Sequence, residues 1–576
     1  MVRAALKVPD DDPRERALAR TLGIPDLVAR TLLARGLDDP ERIRAHLRPD
    51  LRTLADPFRF TQMRKAVERI RQALRNRETI VVHGDYDVDG ISGTVLLCRF
   101  FRLLHADVRP FIPARSDGYS FSAASLQAVQ DTGAKLVISV DNGTNAVEWI
   151  RRIQEAGTDV IVTDHHGTSD NVAEAFVLLN PRLPEAGYPD INLAGVGVAF
   201  RLAAAVAESM TGDFRRSPEF AEFLADAMGW VALGTVADVA PLDGENRVLV
   251  WHGLRMLAQS RNPGIRALLD CAGIAHRNPG VEDIGFRMAP LINAAGRMGH
   301  AREAIDLLLA PGYVEAQAAA RALEKRNEDR RRVERELQEK VLQLSRDCPD
   351  PAIVLGSDEW HAGVIGIVAS RVAEQTGKPA ILVAFKGAIG RGSGRCNNGL
   401  HLREALKACS MHLNSHGGHA AAAGLEVRAE NFEAFRARFL QVCREMPQGG
   451  VPVEADGHAR FAELDPETLR RLDLLGPFGS GNPRPRFCTP GVKLVGQITT
   501  ETRGLDLRVR VTDGATVLPA RLVRAHARFE ELRNRPGPWT IVWSPRLNTR
   551  GEEGPIHVEV HHLVEEVSSL AGAITS

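Results

Sequence analysis

Acidic and histidine side chains recur in four separate segments of this 576-residue chain. The first segment runs from His83 to Gly90 and carries Asp85, Asp87 and Asp89 at every second position. Alternate residues of an extended backbone point to the same face, so these carboxylates would stand close together. Carboxylates at close range resist ionisation, and divalent cations remove that cost. Aspartate oxygens and imidazole nitrogens suit Mn²⁺, and Mg²⁺ can take the same place with more water.

The other three segments carry the same two residue types. They contain Asp141 within Ser139–Gly143, the run Asp164-His165-His166, and Asp238 at the end of Gly234–Asp238. The first three of the four segments directly follow an apolar, β-branched run that is typical of a buried parallel strand. Ligands bind at the carboxyl ends of strands in open α/β sheets. The sequence therefore predicts a two-metal site at one edge of a sheet.

The elements that must position these residues follow a repeating pattern. Strand and helix patterns alternate up to about residue 240, which is the signature of a doubly wound α/β domain. After Gly312, a long run of helix formers without Gly or Pro predicts one charged helix that bridges two domains. A second α/β unit begins at Ala352–Leu355. Further on, the alternation of Leu507, Val509 and Val511 predicts a small β-barrel or sandwich.

We therefore expect an α/β protein with two α/β domains, a long helix between them and a C-terminal all-β domain. The expected segments are an N-terminal helical arm (1–55), a first α/β domain (56–312), a linker helix (313–347), a second α/β domain (348–447), a β-rich domain (448–565) and a tail (566–576). A plausible linker, Gln448-Gly449-Gly450, begins the β-rich domain.

Composition and charge limit the classes of protein to which this chain can belong. The formal net charge is zero, so the whole molecule does not attract a polyanion, although a local basic groove remains open. The seven cysteines are scattered and form no CxxC pair, which excludes a disulfide framework and a zinc knuckle. No apolar run approaches the roughly 18 residues of a membrane span. With no signal-peptide core at the N-terminus, we expect a cytoplasmic protein that does not bind membranes.

Other motifs with similar residues fit less well. Asp85 to Gly90 matches the first half of an EF-hand loop, but position 12 is Leu96 instead of Glu and a strand precedes it. The segment Gly195–Phe200 lacks the third glycine of a dinucleotide fingerprint, and the chain has no P-loop motif. Any single aspartate at a strand end could simply cap a helix, and Asp238 could lie in a turn.

Further motifs follow downstream in a fixed order. They are Asn293–Gly299, Trp360–Arg371, Gly390–Arg395, Gly417–Gly424 and Pro477–Pro485. Together with the acidic segments, this ordered set resembles the RecJ family of exonucleases in the DHH phosphoesterase superfamily. The resemblance spans roughly residues 50 to 565. It implies a DHH domain, a DHH-associated domain and a C-terminal oligonucleotide-binding (OB) fold.

The resemblance also implies a set of metal ligands. Two Mn²⁺ ions, with Mg²⁺ as a substitute, would be held by His83, Asp87, Asp89, Asp141, His165 and Asp238. Asp141 would bridge the ions, and Asp85 and Asp164 would orient the ligands from behind. His166 would face the scissile phosphate, so the expected catalytic residues are Asp87, Asp141, His166, Asn293 and Arg297.

Basic and glycine-rich motifs supply candidate phosphate contacts. Backbone N–H groups of Gly390–Arg395 can form an anion nest, to which Ser393, Gly394 and Arg395 would contribute with Arg115 as a pocket for a terminal 5′-phosphate. The alternative for this stretch is a glycine turn with solvent-facing arginines.

Other motifs would contact the strand itself. Asn293 and Arg297 would bind the phosphate at the cut or the one beside it, unless they form a helix-end network. Gly417, Gly418 and His419 would lie against a nucleotide, or form a tight turn instead, and His361 would approach the strand. In the β-rich domain, Phe478 and Phe487 are candidates for base stacking, with burial in the core as the alternative.

The expected function is single-stranded-DNA-specific 5′→3′ exonuclease activity in DNA repair and recombination, releasing 5′-mononucleotides. The direction rests on the resemblance alone, as do a RecQ-like helicase and a single-strand-binding protein as partners. One alternative is a short-oligonucleotide or cyclic-dinucleotide phosphodiesterase, which usually lacks an OB-like domain. A pyrophosphatase would lack the glycine-histidine motif. A non-catalytic nucleic-acid-binding relative would have lost metal ligands, and here the set is intact.

Overall fold

The computed structural model describes residues 6–115, 118, 120–168, 171–346, 348–446, 452–500, 506–548 and 554–565. Contacts divide the chain into two compact units. We call Leu51–Gly449 with Gly479–Gly481 the two-sheet unit. The barrel unit comprises Met1–Asp50, Gly450–Phe478 and Asn482–Ser576. The expected linker at 448–450 and the expected tail at 566–576 lie outside the described residues.

The N-terminal segment belongs to the barrel unit. Its elements are strand β1 (Leu6–Lys7) and helices α1 (Glu15–Leu22), α2 (Asp26–Ala34) and α3 (Pro40–Leu47). The Asp39 carboxylate caps α3 by accepting a hydrogen bond from the Arg42 N–H at 2.8 Å. Leu27, Leu32 and Ile43 are buried in the same apolar core as the barrel, so this segment is part of that core.

The first half of the two-sheet unit alternates strands and helices. These are α4 (Met63–Asn76), β2 (Ile80–Gly84), α5 (Val88–Leu103), β3 (Val108–Phe111), α6 (Ala123–Thr132), β4 (Leu136–Val140), α7 (Val147–Glu155), β5 (Asp159–Thr163) and β6 (Val177–Leu179). The strands form a parallel sheet in the order β3-β2-β4-β5-β6. All residues of β2 and β4 are buried, as expected for parallel strands covered on both faces.

A helical layer follows the sheet. It consists of α8 (Gly195–Thr211), α9 (Pro218–Ala237), α10 (Gly244–Gln259), α11 (Pro263–Cys271), α12 (Val281–Asp283), α13 (Ala289–Met298) and α14 (Arg302–Leu308). A π-helical turn at Ile284–Met288 leads into α13, and such turns are frequent at functional sites.

Helix α9 is apolar along most of its length. It is the one described helix with the length and hydropathy of a membrane span, and 67% of its most apolar window is buried inside the protein. The sequence interpretation missed this run because Glu222 and Asp226 interrupt it. The apolar residues are explained by packing against α5, α8 and α10.

Helix α15 (Tyr313–Ser345) is the long helix that the sequence predicts. It contacts α11, α13 and α14 and then helix α16 of the second half. Its buried positions recur every three or four residues, which is one stripe of a helix. The sequence predicts a charged helix, but the polar residues Asn327, Arg330 and Glu334 in the middle of the stripe are buried.

The second half of the two-sheet unit carries a mixed sheet. Its elements are β7 (Ile353–Ser357), α16 (Ile365–Thr376), β8 (Ala380–Lys386), β9 (Ile389–Arg395), α17 (Leu402–Lys407), β10 (Ser415–Gly418), β11 (Ala422–Arg428) and α18 (Phe432–Glu445). The strand order is β10-β11-β9-β8-β7, with only β7 and β8 parallel among the described pairs.

The C-terminal region is a closed barrel. Its elements are β12 (Val453–Glu454), α19 (Pro466–Asp473), β13 (Phe487–Thr500), β14 (Leu507–Thr512), β15 (Val517–Leu522), α20 (Phe529–Asn534), β16 (Trp539–Leu547) and β17 (Ile556–Glu565). The barrel order is β13-β14-β15-β17-β16. Leu507, Val509 and Val511 face the interior, as their alternation predicted. The expected fold class is confirmed: two α/β regions, a long helix and a β-barrel.

Candidate metal and phosphate site

The ends of three neighbouring strands bring the acidic segments together. Strand β2 pairs with β4 and β4 pairs with β5, all in parallel, so the loops after them leave the same edge of the sheet. Backbone bonds lock the loops in place: the Asp85 N–H donates to Val140 O at 3.2 Å, and the Asp141 N–H donates to Thr163 O at 2.9 Å. Asp238 reaches the same edge from the end of α9.

Among the described residues, three groups of side chains have potential ligand atoms within 4.8 Å of one another. They are Asp85, Asp87 and Asp141; Asp89, His165 and Asp238; and Asp141, His165 and His166. Asp141 and His165 each belong to two groups, so the groups form one continuous cluster. The His165 Nε2 atom lies 3.0 Å from Asp141 Oδ1 and 3.7 Å from Asp238 Oδ2.

The N-terminus of α8 holds Asp89. Its carboxylate accepts hydrogen bonds from the Gly195 N–H at 2.8 Å and the Val196 N–H at 3.0 Å. A Cβ at Gly195 would lie 2.7 Å from Asp141 Cβ, and one at Gly234 would lie 2.6 Å from Asp89 Oδ1. The sequence interpretation considered Gly195 only as part of a dinucleotide fingerprint. Its place at a helix start was the one available signal for this role.

Asp87 and Asp164 are held by local hydrogen bonds. Asp87 Oδ1 caps α5 by accepting from the Asp89 and Gly90 N–H groups at 3.0 and 3.2 Å. Asp164 Oδ1 lies 2.8 Å from His166 Nδ1, and its Oδ2 accepts from the Thr144 N–H at 2.9 Å. Asp164 is absent from the three ligand groups formed by the described residues, and it orients the neighbouring histidine.

His83 belongs to none of the three ligand groups formed by the described residues. Its ring is fully buried and stacks on Phe121 with a centroid distance of 4.1 Å. The Nε2 atom lies 2.9 Å from Ser125 Oγ, while no described residue forms a hydrogen bond with Nδ1. Burial lowers the pKa of His83 to about 4, which keeps the imidazole neutral and able to bind a cation. Its role as a ligand stays a prediction.

The cluster is electrostatically unfavourable without cations. Burial and the neighbouring carboxylates raise the pKa of Asp85, Asp89 and Asp141 well above the usual range. Burial and the charge of Asp87 raise the pKa of Asp238 to about 7. Buried carboxylate oxygens beside neutral imidazoles are the donor set that Mn²⁺ and Mg²⁺ prefer, and Asp85 Oδ1 has no hydrogen-bond partner among the described residues. The residues therefore fit hard divalent cations.

His166 differs from His165 in charge. Burial and the nearby His166 lower the pKa of His165 to about 3. For His166, burial is outweighed by the hydrogen bond with Asp164 and by the surrounding carboxylates, which raise its pKa to about 9. In the metal-free protein His166 is therefore protonated at neutral pH, and 36% of its side chain is exposed.

A cavity of about 320 Å³ joins the acids to basic side chains. Its lining residues are Asp85, Tyr86, Asp87, Val88, Arg115, Ala237, Asp238, Asn293 and Arg297. Asn293 and Arg297 lie one turn apart on α13. Burial and the charges of Arg115, Arg330 and Arg395 lower the pKa of Arg297 to about 10. In the described chain, Arg115 Nε and Asn293 Oδ1 are buried without a hydrogen-bond partner, so the cavity suits an anion beside the acids.

The glycine-rich stretch at Gly390–Arg395 does not form the expected anion nest. It lies in strand β9, whose backbone pairs with β8 on one side and β11 on the other, so its N–H groups are not free to cradle a phosphate. The side chains remain available: Arg395 Nη1 donates to Ser393 Oγ at 2.9 Å. A Cβ at Gly366 of α16 would lie 3.2 Å from Arg395 Nη2, so this glycine makes room for the arginine.

The remaining candidate contacts lie near the second sheet. His361 is exposed, and its Nδ1 accepts from the Gly363 N–H at 3.1 Å. Gly363 O in turn accepts from Arg297 Nη1 at 3.0 Å, which links His361 to the cavity. Gly417 and Gly418 end strand β10, and His419 follows in the hairpin. All three are exposed, and they lie outside the lining of the cavity.

The two aromatic candidates of the barrel unit are not free for stacking. Phe487 is completely buried in the barrel core. Phe478 packs partly buried against the same core, with the Arg484 guanidinium 4.5 Å from its ring centroid. The alternative, in which these rings are core residues, is correct for Phe487.

Comparisons with known proteins match this architecture. The model of the DHH family N-terminal domain matches residues 79–234, that of the DHHA1 domain residues 350–445, and that of the RecJ OB domain residues 455–562. The single-stranded-DNA-specific exonuclease RecJ of Dickeya dadantii is 37% identical over 488 residues, which cover 81% of this chain and 83% of that protein. Its namesake from Bacillus subtilis is 32% identical over 84% of this chain, which spans 61% of that protein's length.

A solved structure extends the match to three dimensions. The crystal structure of RecJ from Thermus thermophilus in complex with Mn²⁺ has a TM-score of 0.82 at 30% identity, covering 98% of this chain and 80% of that one. The structure of the same protein with Mg²⁺ has a TM-score of 0.76. By sequence identity over most of both chains and by shared domain order, the chain belongs to the RecJ family.

Proposed function

We propose that this chain is a metal-dependent exonuclease that degrades single-stranded DNA from the 5′ end and releases 5′-mononucleotides, in DNA repair and recombination. One observation carries the proposal: the buried cluster of acids and histidines shares a cavity with Arg115, Asn293 and Arg297. Cations held by the acids and basic side chains beside them can bind the same phosphodiester from two sides. Two observations support this proposal: the relatives are named RecJ exonucleases, and the similar crystal structures contain Mn²⁺ and Mg²⁺.

Two Mn²⁺ ions, with Mg²⁺ as a substitute, would be held by Asp87, Asp89, Asp141, His165, Asp238 and His83. Asp141 would be the ligand shared by both ions, and its membership of two of the ligand groups supports this role. Ions held there would supply an activated water and counter-charge for the attacked phosphodiester. Asp85 also lies within ligand distance of Asp87 and Asp141, so a direct role for it is an alternative to the orienting role.

Protein side chains would hold the phosphate and manage protons. Asp164 keeps His166 protonated, so His166 can donate a hydrogen bond to a phosphate oxygen. Asn293 and Arg297 project from one face of α13 into the cavity, where they would fix the phosphate at the cut or the one beside it.

A terminal 5′-phosphate would be bound by Arg115, Ser393 and Arg395. Arg115 shares the cavity with Arg297, and the charges of Arg115 and Arg395 both act on Arg297, which supports one anion-binding region near these side chains. An anion pocket at a fixed distance from the metals would select the 5′ end and release one nucleotide at a time. Gly394, His361, Gly417, Gly418 and His419 would line the path of the strand beyond it.

The barrel unit would hold the downstream DNA. Phe487 is buried, so we expect basic side chains to contribute more than base stacking. A RecQ-like helicase and a single-strand-binding protein remain proposed partners, implied by the resemblance alone.

The test is digestion of 5′-phosphorylated single-stranded DNA that carries a 3′ label. We expect a ladder that shortens from the 5′ end in Mn²⁺, and no cleavage in EDTA or of blunt duplex. Asp141→Asn should abolish cleavage, while Asp131→Asn, an exposed position on α6, is the matched control. Cleavage of di- to pentanucleotides alone would favour a small-oligonucleotide phosphodiesterase. DNA that binds but stays intact in Mn²⁺ would favour a non-catalytic relative.

A further inference from the structure

Tyr86 belongs to the acidic loop after β2, and its ring contacts an arginine of the cavity. Tyr86 separates Asp85 from Asp87 in the loop after β2, and all three line the cavity. The guanidinium carbon of Arg115 lies 4.1 Å from the centroid of the Tyr86 ring. One three-residue loop therefore contributes both to the candidate metal site and to the basic side of the cavity.

Stacking on Tyr86 leaves the edge of Arg115 free to bind an anion. A guanidinium that rests its face on an aromatic ring still presents its N–H groups in the plane of the fork. Arg115 Nε is buried and makes no hydrogen bond within the described part of the chain. A flexible arginine needs such a support, because ordering its side chain costs rotamer entropy.

The Tyr86 ring is itself held in place. The side chain is partly buried against the core of the first sheet. Helix α13 lies directly against the backbone, since a Cβ at Gly296 would be 3.1 Å from Tyr86 O. The helix that carries Asn293 and Arg297 therefore rests on the same residue that supports Arg115.

We propose that Tyr86 is a positioning residue that sets the preference for a 5′-phosphorylated end. The proposal rests on the proposed exonuclease function. The ring orients the Arg115 fork toward the terminal phosphate, while the flanking aspartates face the cations. Because Tyr86 and the two aspartates are adjacent in the chain, one loop would link the bound end to the cut.

The experiment measures kcat and KM on single-stranded DNA with a 5′-phosphate and with a 5′-hydroxyl. Tyr86→Phe keeps the ring face and should retain the wild-type ratio of kcat/KM between the two substrates. Tyr86→Leu removes the face, and the ratio should fall by about 3- to 30-fold, the range expected for loss of a cation–π contact. The change should appear as a higher KM for the phosphorylated substrate.

Two further measurements separate positioning from simple unfolding. Mn²⁺ affinity and thermal midpoint are measured on every variant, and Tyr86→Met replaces Tyr86→Leu if the latter does not fold. In the double variant with Arg115→Met, the ratio should fall no further than in Arg115→Met alone, because both changes remove the same contact.

Equal losses of kcat/KM on both substrates would overturn the proposal. Tyr86 and Arg115 would then act on the phosphate at the cut or on the loop that carries the aspartates. An unchanged ratio in Tyr86→Leu would overturn it as well. If the wild-type protein shows no preference for a 5′-phosphate, both the proposed end pocket and the proposed role of Tyr86 are wrong. If the wild type has the preference and Tyr86→Leu keeps it, only the role of Tyr86 is wrong.

Discussion

The acids and the arginines of the cavity reach the same place by different routes. The acids follow the ends of β2, β4 and β5, so three short segments position most of the cluster. The arginines come from separate elements: Arg115 after β3 and Arg297 on α13 line the cavity, and the charge of Arg395 on β9 acts on Arg297. Local sequence specifies the first group, whereas packing between distant parts of the two-sheet unit assembles the second.

The two groups also differ in how the repulsion between their like charges is compensated. The acids are ionised only at a cost, which bound cations would remove. On the basic side, α15 supplies a buried carboxylate, Glu334, whose charge acts on Arg297. Glu334 also pairs with Arg330 and lies 3.3 Å from Arg371 of α16. The acid cluster therefore depends on a ligand for its neutrality, whereas the basic group has part of its counter-charge built into the fold.

Asp141→Asn should have the largest effect on activity. It removes the carboxylate shared by two ligand groups, so the loss of kcat should exceed the roughly hundredfold upper end seen for groups that only orient a ligand. The metal-free variant should be more stable than the wild type, because a buried charge and its repulsion are gone. Steady-state kinetics and urea unfolding in EDTA measure both. A variant that is active, or less stable without metal, would contradict this account of the acid cluster.

Glu334→Leu tests the built-in counter-charge of the basic group. Removing one partner of a buried ion pair leaves Arg330 uncompensated and should lower the free energy of unfolding by about 3–5 kcal/mol. The double change Arg330→Met with Glu334→Leu should recover most of that stability. Urea unfolding of both variants measures the effect. If the double variant is as unstable as the single one, packing and not charge explains the role of Glu334.

Asp164→Asn should have an intermediate effect. The carboxylate hydrogen-bonds His166 and raises its pKa to about 9. Its loss should reduce activity about 10- to 100-fold and move the alkaline limb of the pH–rate profile to lower pH. An alkaline limb that stays in place would show that a protonated His166 is not required.

The pH dependence of metal binding gives the smallest and most graded effect. The pKa of Asp238 is about 7 in the folded protein, so the folded protein still holds a proton at pH values where the unfolded chain has lost it. The stability of the metal-free protein therefore falls as the pH rises toward 7. A cation must displace that proton and those held by the other carboxyls with raised pKa values, so Mn²⁺ affinity should rise with pH by up to about tenfold per pH unit for each displaced proton. Titrations with Mn²⁺ at pH 6, 7 and 8 measure this. Affinity independent of pH would contradict the raised pKa.

The same contrast explains what the sequence could predict. The parallel sheet, the long helix, the barrel and the convergence of Asp85, Asp141 and His165 follow from local patterns that physics ties to strand ends. Gly390–Arg395 was interpreted as a loop because glycine is rare inside strands, yet β9 uses its glycines to admit bulky neighbours such as Phe385 and Leu425.

Other features depend on contacts that no local sequence pattern predicts. The contact of Gly195 with Asp141, the burial of Glu334 and the stacking of Arg115 on Tyr86 join residues far apart in the chain. Each of these contacts forms only after the helices have packed, so composition and spacing do not predict it.

Calorimetric titration of metal-free protein with Mn²⁺ tests the central claim most directly. The continuous cluster with Asp141 at its centre predicts two ions per chain for the wild type and no more than one tightly bound ion for Asp141→Asn. One ion or none in the wild type, or two ions retained in Asp141→Asn, would contradict a two-cation site built around that residue.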